Sequence, residues 1–335
     1  MLFDQLKRRE FITLLGGAAA AWPLAARAQQ SDGMRRIGVL IPESENDVDY
    51  KAYMAAFRQG LQQLGWMEGR NVQINYRWGA HDIEVTQRFA KELVAQQPDC
   101  ILTSGTPVTA SILQQTRTIP IVFAQIADPV GSGFVASFAR PGGNVTGFIS
   151  NDPTMAGKWV ELLKEIAPRV NRAAVLFNPA TTPYADIYLK PFKAAAVSFG
   201  LEAIAAPVHS TSDLELVVAE WARIPNGGLV VMPDGFVNVH RAEIVSLAAR
   251  HRLPAIYPWR FFPDIGGLLS YGSDQRELFR SAAGYVDRIL KGAKPSDLPV
   301  QAPVKYELII NLKTAKALGI EVPLFFQQRA DEVIE

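Results

Sequence analysis

Beyond Arg35 the sequence alternates short apolar runs with longer amphipathic stretches, and that alternation leaves little choice of architecture. An apolar run followed by an apolar stripe at helical spacing marks a strand feeding a crossover helix. Successive strands then lie parallel in a sheet covered by helices. In the first half, strands are expected at Arg36 to Ile41, Val72 to Arg77, Cys100 to Thr103 and Pro120 to Ala124. Helices are expected from about Tyr50 to Leu64, Ile83 to Gln96 and Pro107 to Gln115. Leu64-Gly65 and Gly69-Arg70-Asn71 supply a helix stop and a turn. A second series starts after Gly143-Asn144-Val145-Thr146-Gly147-Phe148. It has helices at Thr154 to Ile166, Tyr184 to Phe199, Asp213 to Ala222 and Val237 to Arg250. Its strands are at Ala173 to Phe177, Leu201 to Ala205, Gly228 to Met232 and Ala255 to Tyr257. A strand at Gly267 to Tyr271 and a helix at Gln275 to Lys291 precede a Pro-rich connector, Pro295 to Pro303. The tail reads strand, Lys305 to Leu312, then helix, Thr314 to Leu318.

With 335 residues, 48% hydrophobic and 20% charged, the chain is too long for one ordinary domain and too apolar for disorder. The expected fold class is therefore α/β, with two Rossmann-like lobes in succession. Three stretches read as passages between the lobes: residues near 148 to 153, near 257 to 266 and near 300 to 305. Tandem domains need one linker, whereas three crossovers make a hinge that closes two lobes about a cleft. The boundaries that follow are 34–150 plus about 259–302 for lobe 1, and about 151–258 plus about 303–335 for lobe 2.

Residues 1–28 read as an export signal rather than part of the fold. A basic start at Lys7-Arg8-Arg9 precedes an apolar stretch from Phe11 to Ala21, and Ala26-Arg27-Ala28 forms an A-x-A cleavage site, with cleavage after Ala28. The apolar stretch is shorter than the ~20 residues needed to cross a bilayer. Lys7-Arg8-Arg9-Glu10-Phe11-Ile12 resembles the twin-arginine motif and Arg27 disfavours the ordinary Sec route; the alternative is a plain Sec signal whose basic region contains two arginines. No cysteine lies at the cleavage point, so a soluble periplasmic product is expected. The signal holds Lys7, Arg8, Arg9 and Arg27 against Asp4 and Glu10, so 30 basic and 31 acidic side chains remain beyond it, net −1. Such a balance offers no excess charge for a polyanion, which disfavours nucleic acid as the main ligand.

Cys100, the one cysteine, sits in the apolar run Asp99-Cys100-Ile101-Leu102 and reads as a buried small hydrophobe. The histidines at 81, 209, 240 and 251 have no metal-ligand spacing. No G-x-S-x-G elbow or Walker loop occurs, and no catalytic constellation is visible, so a non-enzyme without cofactor or metal is expected. Gly131-Ser132-Gly133-Phe134-Val135-Ala136 is a G-x-G-x-x-A string after an apolar strand. It supports, weakly, an alternative reading as an exported nucleotide-cofactor oxidoreductase.

In open parallel sheets ligands bind where strands end, so the loops leaving the strands are the places to look. Thr103-Ser104-Gly105-Thr106-Pro107 follows a strand, with Thr106 placed to cap a helix and Pro107 at its first position. Free N–H groups there suit a carboxylate. Asp128 and Asp234 each follow an apolar strand, one per lobe, where a carboxylate could grip an ammonium. That pair of opposed charges fits an amino acid. Tyr184, Tyr257, Trp259, Phe261 and Tyr271 fall at the same level and are candidates to wall the cleft.

The strings Ile37-Gly38-Val39-Leu40, Leu64-Gly65-Trp66, Gly69-Arg70-Asn71-Val72, Thr103 to Pro107, Ile121 to Gly131 and Arg140-Pro141-Gly142-Gly143-Asn144-Val145-Thr146-Gly147 together carry a resemblance. The chain resembles the ABC-transporter substrate-binding family related to tryptophan-type uptake systems, over essentially its whole length beyond the signal. The resemblance implies a periplasmic-binding fold of type I, two lobes with three crossovers. It also implies a periplasmic receptor that traps a small carboxylate-bearing ligand, an amino acid, aromatic in the family's known cases, or a related organic acid. Delivery to an inner-membrane ABC permease with its cytoplasmic ATPase would follow, with the receptor a monomer. A ligand sensor for a membrane signalling protein is a further alternative. The family's carboxylate-binding loop corresponds to Ser104, Gly105 and Thr106, and its acidic loop to Asp128. Asn178, Tyr184 and Asp234 match more loosely. The chain departs from the pattern after the first strand, where Pro42-Glu43-Ser44-Glu45-Asn46-Asp47 is unusually acidic.

Overall fold

The computed structural model describes residues 33–335; the expected export signal, 1–28, lies outside these residues. The first series of elements is β1 (Arg35–Ile41), α1 (Val48–Gln63), β2 (Val72–Trp78), α2 (Ile83–Ala95), β3 (Cys100–Ser104), α3 (Thr106–Gln115), β4 (Ile121–Ile126) and β5 (Val145–Ile149). Its strands form one parallel sheet in the order β2-β1-β3-β4-β5. Local chemistry starts the helices: the Asp47 and Asp82 side chains each accept two backbone N–H bonds at the N-termini of α1 and α2. Cys100 is fully buried on β3, and that burial pushes its thiol to about 12, so it is a core group.

The second series is α4 (Ala156–Ile166), β6 (Arg172–Phe177), α5 (Ala185–Ser198), β7 (Glu202–Pro207), α6 (Thr211–Ala222), β8 (Gly227–Val231), α7 (Gly235–Val239), α8 (Arg241–Arg250), β9 (Ala255–Tyr257), α9 (Phe261–Asp264) and β10 (Leu269–Ser273). The chain then forms α10 (Gln275–Leu290), which packs on α1 in the first lobe, and returns through β11 (Tyr306–Asn311), α11 (Leu312–Leu318), α12 (Leu324–Gln327) and β12 (Glu332–Ile334). The second sheet runs β12-β11-β10-β9-β8-β6-β7, with β11 antiparallel to β10 and the other neighbours parallel. No helix among the described residues is long and apolar enough to cross a membrane.

Crossings fall at residues 150–152, 273–275 and 301–305. The second departs from the expectation of a passage near 257 to 266 and of a lobe 1 segment from about 259. Pro258, Pro263 and Gly266-Gly267 punctuate that stretch like a linker, yet Trp259, Phe261, Phe262, Leu268 and Leu269 are buried in lobe 2 cores. β10 adds a strand to the second sheet before the chain leaves. Helix Val237 to Arg250 is likewise two helices, broken at His240, and β4 extends beyond Ala124 through a register shift between Phe123 and Ile126.

Helix α10 completes the first lobe. Phe279, Ala282, Ala283 and Val286 join Ile37, Val39, Tyr53 and Phe57 in one core, with the Phe279 ring stacked on Tyr53 at 5.5 Å. Trp66 Nε1 donates to Asp287 Oδ1 at 2.8 Å. A Cβ on Gly60 would stand 2.9 Å from the Ala283 Cβ, so α1 and α10 approach this closely only through a glycine. Gly147, with φ 152°, sits beneath the Phe123 carbonyl oxygen, which a Cβ would meet at 2.0 Å. Truncating a fully buried aromatic at such a junction costs about 3–5 kcal/mol. Phe279→Ala is therefore expected to lower the free energy of unfolding by that amount while the lobe 2 cores, which Phe279 does not touch, keep their packing; denaturant titration followed by circular dichroism checks it.

Candidate functional site: a cleft between the lobes

The strand ends of the two sheets face one another across a cavity of about 700 Å³. Lobe 1 lines it with Pro42 and Glu43 after β1, His81 to Ile83 after β2, Gly105 to Val108 after β3, and Gln125 on β4; Tyr50 comes from α1. Lobe 2 supplies Ala180, Thr181 and Tyr184 after β6, Pro233 to Phe236 after β8, His240 between α7 and α8, and Trp259 after β9. A hollow of about 450 Å³ lies at the opposite strand ends of lobe 2, near Arg169, Asn226 and His251, and touches that lobe alone.

On the lobe 1 side the expected loop is in place with one change. Gly105, not Thr106, is the N-cap of α3, at φ 80°, and no side chain caps the helix. Thr106 is thus the first helical residue and Pro107 the second, and the unpaired N–H groups of that turn open on the cavity. Ser104 is fully buried just behind it, its hydroxyl donating to Gln125 Oε1. Tyr50 donates to the same oxygen at 2.7 Å. Burial, and then the Glu43 charge, push the Tyr50 phenol far up, so it remains a donor. Gln125 has φ 58°, a left-handed conformation that costs a non-glycine residue about 1–3 kcal/mol. Its Nε2 donates to Gln275 Oε1 at 2.7 Å, and Gln275 Nε2 donates to Ser273. Ser273 in turn donates its N–H to Asn151 Oδ1 at 3.0 Å and its hydroxyl to the Ser150 carbonyl. A continuous hydrogen-bond chain therefore joins the cleft loop to the first two crossings.

On the lobe 2 side Asp234 is 1% exposed. It accepts from the Asn178 N–H at 2.7 Å, the Phe236 N–H at 2.9 Å and the Thr181 hydroxyl. It clamps two loops together, and burial raises its carboxyl above the ordinary value against those bonds. Asn178 stands behind the wall, its Oδ1 taking the Ala180 N–H at 2.8 Å, so it shapes the loop rather than lining the cavity. Tyr184 lines the cavity, donates to the Pro233 carbonyl at 3.1 Å, and is held protonated by burial.

Four expected residues fall elsewhere, Phe261 among them, buried in a lobe 2 core. Asp128 folds back to accept the Gly131 N–H at 2.7 Å, and the G-x-G-x-x-A string forms turns ahead of β5 with no helix to open. Tyr257 is 1% exposed and stacked on Phe262 at 4.6 Å, a core residue of lobe 2. Tyr271 stacks on Tyr306 at 5.9 Å, away from the cavity. The cleft residues that pattern reading missed are Glu43, Tyr50, His81, Gln125, Phe236 and His240. The acidic departure after β1 was their one visible signal.

Among the described residues no Lys or Arg lines the cavity, whereas Glu43, Asp82 and Asp234 do. No group of three His, Cys, Asp or Glu able to hold a metal occurs among the described residues. At the rim Arg241 of lobe 2 reaches Asp47 of lobe 1 at 2.9 Å and Asp49 at 3.6 Å, with its guanidinium over the Phe261 ring.

Partly exposed ion pairs contribute about 0.2–1 kcal/mol, up to about fivefold in an equilibrium. Arg241→Ala is expected to shift the ligand-free protein toward a more open arrangement by that factor, read as a larger radius of gyration in small-angle scattering. Asp234→Ala leaves three donors without their acceptor and is expected to lower stability by about 2 kcal/mol or more. Because the folded carboxyl sits above its unfolded value, the native state favours its proton. The contribution of that proton is full below the unfolded value and is lost as pH rises through the folded one. Stability measured against pH loses that segment of slope in Asp234→Ala.

The family model for "ABC transporter substrate binding protein" matches residues 37–334. A "Tyrosine-binding protein" of Clostridioides difficile is 26% identical over 266 residues, 79% of this chain and 76% of the relative. A solved Streptococcus pneumoniae ABC domain in complex with L-Trp has 28% identity and a TM-score of 0.82, covering 90% of this chain and 100% of the other. A conserved domain protein of Vibrio cholerae has 26% identity and a TM-score of 0.82, with the same coverage. Two lobes, three crossings and a cleft at facing strand ends are the type I periplasmic-binding arrangement, and the chain belongs to the family of ABC transporter substrate-binding proteins.

Proposed function

We propose that this protein is the exported receptor of an ABC importer, closing on an aromatic amino acid in the interlobe cleft. A membrane permease with its cytoplasmic ATPase receives the ligand, and the receptor works as a periplasmic monomer. The observation that carries the reading is the electrostatics of the cleft. Among the described residues three carboxylates and no Lys or Arg line it, and the uncapped N-terminus of α3, which suits an anion, opens on it. A zwitterion fits that set, with its carboxylate at the Gly105–Thr106 turn and its ammonium toward the acidic groups. A plain organic acid would add negative charge with no cation to meet it, so the organic-acid version is the weaker one. Tyr184, Phe236, His240 and Trp259 supply flat apolar surface for a side chain. The ligands named for two relatives, tyrosine and L-Trp, support the same class.

The oxidoreductase alternative rested on the G-x-G-x-x-A string, which forms turns rather than a phosphate-binding helix start. Ligand that binds only the folded state stabilises it by RT ln(1 + [L]/Kd), about 2.7 kcal/mol at a hundredfold excess over Kd. Thermal unfolding with L-Trp, L-Tyr and L-Phe is expected to show a concentration-dependent rise for at least one of them. Absence of a rise with all three overturns the aromatic amino-acid reading.

A further inference from the structure

We infer that Glu43, held in place by His81, is the group that grips the ligand's ammonium and sets the preference for amines. The inference rests on the amino-acid reading above and deepens it to a residue. Of the carboxylates on the cavity, one is solvated and one is taken by its own lobe. Asp82 is exposed to water, and its Oδ1 caps α2, taking the Glu84 and Val85 N–H groups at 2.8 and 3.0 Å. Asp234 takes three donors from its own lobe. Glu43 differs: its side chain is 8% exposed, His81 Nε2 meets Oε2, and Oε1 takes no hydrogen bond from the described residues. Arg241 feels the Glu43 charge but spends its own hydrogen bond on Asp47. A buried carboxylate that lines a cavity with no Lys or Arg among the described residues, and has one oxygen without a partner there, calls for a cation from the ligand.

The backbone is arranged to hold this pair. The loops after β1 and β2 are zipped by three bonds: Gly79 N–H to Ile41 O at 2.8 Å, Ala80 N–H to Glu43 O at 3.2 Å and His81 N–H to Pro42 O at 2.6 Å. Ala80 and His81 adopt φ 49° and 60°, consecutive left-handed conformations in residues other than glycine. Strain of this kind persists where neighbouring structure enforces it, and here it presents the imidazole to Glu43. His81 is thus a positioning residue, fixing the carboxylate that faces the ligand.

The test uses calorimetric titration of the purified protein with two probes of matched ring: L-Trp, and 3-indolepropionate, which lacks the ammonium. The parent is expected to prefer L-Trp by about a hundredfold. Glu43→Gln is expected to weaken L-Trp by about ten- to hundredfold and leave 3-indolepropionate nearly unchanged, so the preference collapses. Glu43→Asp, which keeps the charge, is expected to restore part of it and covers failure of the glutamine variant to fold. His81→Gln is expected to give a smaller loss, about three- to tenfold, confined to the amine-bearing probe. An unchanged preference in Glu43→Gln, or a parent that binds both probes equally, overturns this inference and leaves the receptor reading standing. A parent that binds none of L-Trp, L-Tyr and L-Phe overturns both.

Discussion

The amide of Gln125 is the group through which the binding loop and the hinge meet, and the rest of the molecule is arranged around keeping it satisfied. Its oxygen takes both lobe 1 hydroxyls at the cleft, from Tyr50 and Ser104, and its nitrogen reaches Gln275 at the second crossing. Each such bond contributes only about 0.5–1.5 kcal/mol net, but an unmet buried partner costs about 1–3. A register shift in β4 and a left-handed backbone are tolerated to set the amide there. The Ser104 hydroxyl, expected to contact ligand, is consequently turned inward, and the helix start that follows it is what lines the cavity.

The cleft is asymmetric in kind. Lobe 1 carries an uncapped helix start and an acidic loop pair, on a sheet one face of which is covered by α1 and α10. Lobe 2 carries most of the aromatic surface, on loops tied to one another through Asp234. The flat apolar walls of lobe 2 thus face the helix start and acidic loops of lobe 1 across the cavity. The rim pair of Arg241 with Asp47 joins that motion to α1 directly, because Asp47 is also its N-cap.

Most of the architecture was legible because parallel βαβ units write themselves into the sequence as alternation, and strands Cys100–Ser104 and Gly227–Val231 are apolar on both faces. What failed was the stretch around Trp259. Its prolines and glycines carry the local signal of a linker, while its burial depends on strands and a helix contributed by other parts of the chain. The site was half legible for the same reason. Loop chemistry such as Gly105-Thr106-Pro107 is local and readable. The meeting of Glu43 with His81 joins loops after different strands, and the loss of Tyr257 and Tyr271 from the cleft is decided by stacking on Phe262 and Tyr306. The end of a strand predicts the level of a side chain, not the side of the sheet that it faces.

The placement of α10 bears on the order in which the molecule can be made. Lobe 1 begins at the first described strand, yet its core is unfinished until a helix ending at Leu290 has been synthesised, and lobe 2 waits for β11 and β12 in the last thirty or so residues. A growing chain thus holds two incomplete cores almost to its end, with contacts that span long stretches of sequence. Such topologies fold slowly and expose apolar surface meanwhile. The same interleaving that joins the lobes by three crossings leaves both unfinished until the late elements of the chain have been made, unlike domains strung as beads.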